Sequence, residues 1–290
     1  MRTRPQIAII GAGNLACALA SALHRAGYEI ELVVGRSRAL SQKRACRLAE
    51  EVGSRAANSL PESLHARLIW ICVPDSAIAR VAESLVRQID WKGRLVFHSS
   101  GALTSDVLKP LRRRGAAVAS VHPLMTFVSG SRPPLAGVPF ALEGDPAALR
   151  EARQIVRDLG GRPYPIRKEH KAAYHAWGTF VSPLFTALLA TAEQVAKKAG
   201  VSSRAARQRA IPILLQTLAN YATFGAAGAF SGPIVRGDVD TVKQHLRTLR
   251  DVPMLEDAYR SLAFAAIRYL PGKNKVGMGK ALRESAASSK

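Results

Sequence analysis

The sequence predicts a two-domain α/β protein: a parallel sheet covered by helices on both faces, then an all-helical domain. Three observations predict it. Short apolar runs alternate with helix-period segments up to residue 166, the mark of strand–helix–strand units. From Arg167 to Leu270 no strand pattern is found, and four helix-period segments follow one another. The length of 290 residues suits two domains of ~100–200 residues each. The expected boundaries are 1–167 for the sheet domain, 168–272 for the helical domain and 273–290 for a basic, flexible tail.

The elements follow in order. Gln6-Ile7-Ala8-Ile9-Ile10 is a short apolar run ending in glycine, which suits a strand buried on both faces. Residues 14–25 have helical spacing, 28–34 alternate like a second strand, and 38–52 form a basic amphipathic helix. Leu68-Ile69-Trp70-Ile71-Cys72-Val73 is a third strand stopped by Pro74, with a helix over 76–88 after it. Strands are expected at 94–97 and 116–121, and again at 138–142 and 163–166, the last two flanking a helix over 146–159. In the second half, helices are expected over 169–199, 203–224, 240–249 and 254–269. Gly200, the segment 225–237 and Asp251-Val252-Pro253 punctuate them.

Composition narrows the function. Apolar residues make up 48% and charged residues 22%, which excludes a disordered chain or a collagen-like repeat. The 42 Lys+Arg against 21 Asp+Glu give a net charge of +21, which bears on partners rather than on fold. That charge is dispersed and lacks interleaved aromatics, so nucleic-acid binding is the least favoured reading. Cys17, Cys46 and Cys72 stand far apart with no Cys/His cluster. No metal site is expected, and isolated thiols suit a reducing cytoplasm. The first apolar run is too short for a secretion signal. Residues 172–192 and 211–235 lack charged side chains and reach membrane-spanning length. They carry His175, Ser182 and Pro183 in one and Pro212, Gln216, Asn220 and Pro233 in the other. The expectation is therefore no membrane span, but helices buried in a core or in a homodimer interface. Gln216 and Asn220, one turn apart, are expected to be partners in a buried hydrogen-bond network.

Gly11-Ala12-Gly13-Asn14-Leu15-Ala16 is a G-x-G-x-x-A motif between a buried strand and a helix, the context of a Rossmann dinucleotide site. Gly11 allows the tight turn, Gly13 lets the backbone approach a pyrophosphate, and Ala16 lets helix and strand pack closely. The first-turn N–H groups of the helix, those of Asn14 and Leu15 among them, would face the phosphates. The alternative is a glycine turn in some other α/β protein. The second strand ends Val34-Gly35-Arg36-Ser37-Arg38, with no carboxylate to accept ribose hydroxyls. Arg36 and Arg38 would instead pair with a 2′-phosphate, with Ser37 donating to it, so the expected cofactor is NADP(H) rather than NAD. Val73 and Pro74 would wall the cofactor, while Asp75 is expected to cap the next helix.

Two further strand ends carry polar groups, His98-Ser99-Ser100-Gly101 and His122-Pro123. Ser99, Ser100 and His122 are the expected substrate contacts. Lys171 and His175, four apart on one helix face, are the expected acid–base pair. Arg236 is expected in a structural salt bridge.

These motifs carry a resemblance. Gly11 to Ala16, with G-R-S at 35–37, looks like the group of pyrroline-5-carboxylate reductases and deazaflavin-dependent NADP reductases. H-S-S-G-A-L, V-H-P-L-M-T-F, K-x-x-Y-H and S-G-P-x-x-R-G-D are more particular. They resemble a bacterial family of Rossmann-like oxidoreductases with a C-terminal domain of unknown function, over nearly the whole chain. The C-terminal half is similar to the helical dimerisation domain of 6-phosphogluconate and β-hydroxyacid dehydrogenases. Those enzymes carry a K-x-x-x-N pair at the start of that domain; here Lys171 is kept and His175 replaces the asparagine. The departure argues against β-hydroxyacid chemistry. Pyrroline-5-carboxylate reductases lack the Lys–His pair, so proline synthesis is not implied either. The resemblance implies an NADP-dependent, homodimeric oxidoreductase acting on a small carbonyl or imine. A non-catalytic NADP-binding sensor or scaffold is the alternative.

Overall fold

The computed structural model describes residues 4–35 and 39–287, which fall into two compact units, Met1–Ser182 and Pro183–Lys290. The first unit contains β1 (Ile7–Ile10), α1 (Asn14–Arg25), β2 (Ile30–Val34), α2 (Ala39–Glu51), β3 (Arg55–Ala57), β4 (Leu68–Ile71) and α3 (Asp75–Leu85). It continues with β5 (Leu95–His98), α4 (Lys109–Arg112), β6 (Ala117–Pro123), β7 (Pro139–Gly144), α5 (Pro146–Asp158), β8 (Arg162–Pro165) and α6 (Lys171–Val181).

All eight strands form one sheet in the order β3-β2-β1-β4-β5-β6-β7-β8. The two faces bury different residues because successive side chains of a strand point to opposite sides. Ile7, Ile9, Trp70 and Phe97 pack with α1, α2 and α5 on one face. Ala8, Ile10, Ile69, Ile71 and Val96 pack with α3 and Trp91 on the other. Helices thus cover both faces, as the continuous apolar runs of β1 and β4 require.

The sheet is mostly, not wholly, parallel. β7 runs antiparallel to β6, and β8 runs parallel to β7. A parallel neighbour needs a crossover, usually a helix. Residues 124–138 between β6 and β7 form none, so the chain returns antiparallel. β3, absent from the sequence expectation, pairs with β2 from Leu32↔Arg55 to Val34↔Ala57.

The second unit contains α7 (Pro183–Lys198), α8 (Ser203–Ala229), α9 (Pro233–Arg236), α10 (Val239–Leu249), α11 (Pro253–Tyr269) and α12 (Lys275–Ala287). The single helix expected over 169–199 is two helices. Pro183 lacks an N–H and its ring clashes with the preceding turn, so the backbone leaves the helical region at Ser182 (φ −130°, ψ −78°). The compact units accordingly divide after Ser182, and the boundary expected at 167 falls inside the first. α8 is kinked at Gly225 (φ 68°, ψ −179°), where the expected helix ends. The segment expected as a flexible tail contains α12. Its Met278 and Leu282 are buried with Val242, Leu246 and Ala263, and the Arg260 guanidinium donates to the Leu282 carbonyl. Gln216 and Asn220 bond at 2.7 Å, but on an exposed stretch of α8 rather than in the buried network expected, and Arg236 pairs with Asp238 at 2.8 Å. Among the described residues no helix is long and apolar enough to cross a membrane.

Candidate functional site

Strand order reverses between β1 and β4, and in open α/β sheets that switch point holds the ligand crevice beyond the strands' C-terminal ends. A cleft of about 530 Å³ opens there, lined by Gly11, Gly13, Arg44, Asn58, Val73 and Pro74 among others. Gly11 sits at φ +108°, and a Cβ on it would lie 2.4 Å from the Cys72 carbonyl oxygen. The turn therefore requires glycine on both counts. Gly13 is different. It is the N-cap of α1 with ordinary extended geometry, and a Cβ there would meet nothing within 4 Å. The fold does not demand glycine at 13, but a group approaching the backbone would.

With no capping side chain at Gly13, the first-turn N–H groups of α1 and the positive end of its dipole face outward. The turn, the uncapped helix and the open space fit a dinucleotide diphosphate. The Asn14 side chain donates to the Phe127 carbonyl at 3.2 Å, so it ties the loop after β6 to the phosphate loop. Leu15 is half-buried and does not line the cleft, which leaves its backbone N–H as its contribution. Val73 and Pro74 line the cleft. Arg36, Ser37 and Arg38 lie outside the described residues. Arg44 was not expected. Leu40 and Arg44, one turn apart on α2, both line the cleft, and that i, i+4 spacing was the available signal.

The ends of β5 and β6 meet the start of α6 in a second cluster. His98 is fully buried, with Nδ1 accepting from the Ser100 N–H at 3.1 Å and Nε2 against the Thr104 carbonyl at 3.2 Å. Burial first, and then the Lys171 charge, lower its pKa to about 3, so it is a neutral structural imidazole. Ser99 accepts from the buried Trp70 indole at 2.9 Å and keeps its own proton to donate. The Ser100 hydroxyl donates to Asp75 at 2.6 Å and accepts from the Ala102 and Leu103 N–H groups. It is committed to holding the turn rather than facing a ligand. Asp75 is the first residue of α3, not its cap, and it serves as the acceptor for Ser100.

Lys171 has no exposed surface. Its ammonium donates to the Ser100 carbonyl at 3.0 Å and the Ser120 hydroxyl at 2.6 Å. Burial lowers its pKa to about 8, against the opposing pull of Glu143 and Asp75. His175, one turn on, is exposed. His122 is half-buried, its Nδ1 2.9 Å from the Tyr174 hydroxyl, and its ring centroid 6.1 Å from that of His175. Burial, then the charge of Lys171, then His175 lower the His122 pKa to about 4. The structure thus brings Lys171, His175, His122 and Ser100 together, while Tyr174 is a member the sequence reading did not assign. Among the described residues no group of three or more His, Cys, Asp or Glu could hold a metal ion.

Residues 1–123 match the model of a Rossmann-like domain, and residues 138–266 match that of a domain of unknown function, DUF2520. The chain thus joins the two domains its motifs pointed to. No curated protein matches the sequence. Among solved structures, a provisionally named NADP oxidoreductase from Bacteroides fragilis superposes with a TM-score of 0.76 at 24% identity, over 90% of this chain and 97% of that one. A protein from Thermotoga maritima gives 0.66 at 23%, over 97% and 98%. An imine reductase from Myxococcus stipitatus in complex with NADP+ gives 0.63 at 18%, over 94% and 98%. These likenesses establish the fold.

Proposed function

We propose that this chain is an NADP(H)-dependent oxidoreductase that reduces a small carbonyl or imine, or runs the reverse reaction. One observation carries the reading. The glycine-loop cleft and the His122 cluster both stand beyond C-terminal ends of adjacent parallel strands of one sheet. A dinucleotide that starts at the first reaches toward the second. Gly11, Gly13 and the first turn of α1, including Asn14 and Leu15, would hold the diphosphate, and Val73 and Pro74 would wall the cofactor. Arg36, Ser37 and Arg44 would hold a 2′-phosphate. The nicotinamide, when bound, supplies the hydride. The chain's own groups then have to orient the substrate and manage one proton. Ser99 offers a donor, His175 and His122 offer imidazoles, and Lys171 supplies a fixed charge behind them. The Myxococcus stipitatus imine reductase, bound to NADP+, supports both the cofactor and the substrate class.

Paired fluorescence titrations with NADPH and NADH test this. NADPH is expected to bind at least about tenfold tighter, a difference of about 1.4 kcal/mol. Arg36→Ala should abolish that preference and Arg44→Ala reduce it. Equal binding of the two nucleotides would overturn the NADP assignment, and no binding would overturn the enzyme reading.

The helical unit supports a homodimer, and the scattered free thiols support a cytoplasmic setting. None of the 27 residues of α8 is buried, and Ile213, Tyr221 and Phe224 are 68%, 60% and 65% exposed. Helices take most of their stability from tertiary packing, so an uncovered apolar helix needs a partner surface. Leu218→Glu is expected to convert a dimer to a monomer by sedimentation velocity. A wild-type monomer at micromolar concentration would refute the dimer.

A further inference from the structure

We propose that His122, oriented by Tyr174, delivers the proton to the substrate heteroatom, and that Tyr174 restores it from solvent. The inference rests on the oxidoreductase reading and names the proton path within that site.

Reducing a C=O or C=N bond requires a proton on the heteroatom as the carbon is reduced. The cluster contains four nitrogen bases, and geometry separates them. Lys171 has no exposed surface and spends its ammonium on the Ser100 carbonyl and the Ser120 hydroxyl. His98 is buried with both ring nitrogens engaged. Neither can touch a ligand without dismantling the turn at Ser100. His175 is exposed, and among the described residues no hydrogen bond to its ring fixes a tautomer or supplies a proton from behind. His122 has both properties. Its Nδ1 is 2.9 Å from the Tyr174 hydroxyl, and the two rings meet edge to face at 88°. Its other nitrogen faces Gly101, where a Cβ would fall 2.8 Å from Nε2 and 2.5 Å from His175 Cδ2. Glycine at 101 therefore keeps a side chain out of the space before both imidazoles.

A phenol is a far weaker base than a neutral imidazole, so the Tyr174 hydroxyl donates and Nδ1 accepts. That bond fixes His122 as the Nε2–H tautomer, with its donor on the Gly101 side. Burial and the nearby Lys171 charge hold the ring neutral, as expected of an imidazole that donates without being a cation. Tyr174 is itself 8% exposed and continues the chain outward. Its ring meets that of Tyr164 edge to face, with centroids 6.3 Å apart. Tyr164 is half-buried on the edge strand β8.

The protons balance. The Nε2–H bond breaks as the heteroatom–H bond forms, and Nδ1 takes the Tyr174 hydroxyl proton. Tyr174 regains one from water. The ring stays neutral throughout and passes from the Nε2–H to the Nδ1–H tautomer. It reverts by exchange with solvent once product leaves. One proton is drawn from solvent per turnover, and both electrons come from the reduced nicotinamide.

The test combines a tautomer measurement with kinetics. In wild-type protein labelled with 15N-histidine, the His122 signals, assigned by their loss in His122→Gln, should report a single neutral Nε2–H form. Tyr174→Phe, checked for an unchanged melting curve, should show mixed tautomers. With a cyclic imine and NADPH, His122→Gln should lower kcat by about 100-fold or more. Tyr174→Phe should lower kcat and shrink the solvent deuterium isotope effect, while NADPH affinity stays unchanged. An unchanged tautomer in Tyr174→Phe, or a changed tautomer with kcat and isotope effect intact, overturns the relay. Failure of wild type to bind either nucleotide would instead remove the oxidoreductase reading and the relay with it. Nucleotide binding thus tells the two failures apart.

Discussion

Gly11→Ala is expected to damage the fold, whereas Gly13→Ala is expected to leave the fold intact and lose the nucleotide. The two glycines stand two residues apart in one loop, yet the structure gives them opposite reasons for lacking a side chain. At Gly11 the backbone has φ +108°, which costs an L-residue about 1–3 kcal/mol. The added methyl would also sit 2.4 Å from the Cys72 carbonyl oxygen. That oxygen cannot yield cheaply, because the Cys72 N–H is bonded to the Ile10 carbonyl at 2.7 Å and β4 before it is wholly buried. A combined loss of about 3 kcal/mol or more would take much of an ordinary stability of about 5–15 kcal/mol. At Gly13, with φ −81° and ψ −178°, alanine is conformationally permitted and meets no atom. Alanine for glycine at an N-cap costs about 0.5–1 kcal/mol. The methyl would, however, occupy the space where a diphosphate meets the first-turn N–H groups. Urea denaturation should therefore show Gly13→Ala within about 1 kcal/mol of wild type. Its NADPH affinity should fall at least about tenfold. Wild-type affinity in a stable Gly13→Ala protein would refute the placement of the diphosphate.

What the sequence made legible follows from the same physics. β1 and β4 were readable because burial on both faces leaves a run of four apolar residues with no alternation to misread. α1 was readable to its ends because a glycine loop opens it and Gly27 follows it closely. β3 was not, since three residues, Arg55-Ala56-Ala57, are a strand only by virtue of pairing with β2. The direction of β7 is likewise a property of its partner rather than of its own residues. The break at Ser182 was legible and missed: Pro183 stood inside the expected helix. α12 hides its signal in a basic stretch where only Met278, Ala281 and Leu282 form an apolar stripe. The site divides in the same way. That Lys171 and His175 would share a helix face could be read from spacing. That Lys171 would be sealed behind Ser100 and Ser120, leaving His122 to face Gly101, depends on how neighbouring strand ends meet α6, and no local pattern records that.

Acidification is expected to destabilise the first unit steeply, through the histidines that it keeps neutral. An imidazole in the unfolded chain takes up a proton near pH 6.5. His98 does so in the folded state only at about 3, chiefly because it is buried, and His122 only at about 4, for the same first reason. Between those values the unfolded state binds more protons than the folded one, so stability falls as pH falls. The loss begins near pH 6.5 and runs to about 4 for His122 and about 3 for His98. A shift of that size at the fully buried His98 is worth roughly 5 kcal/mol, and the half-buried His122 adds less. Lys171 works on the alkaline side. Its folded pKa of about 8 lies below its ordinary value, so it contributes no slope under pH 8 and stability rises with pH above that. Urea midpoints at pH 7.5, 6, 5 and 4 test the acid limb in wild type and His98→Asn. Asparagine at 98 can still accept from the Ser100 N–H but cannot titrate. The variant should be about 1 kcal/mol less stable at pH 7.5, from the imperfect replacement of two buried hydrogen bonds. It should lose stability less steeply on acidification, so that the two curves cross at about pH 6 and the variant is the more stable at pH 4. Parallel curves would mean that His98 is not held neutral by the fold, and the acid sensitivity would then belong to general repulsion among the +21 charges.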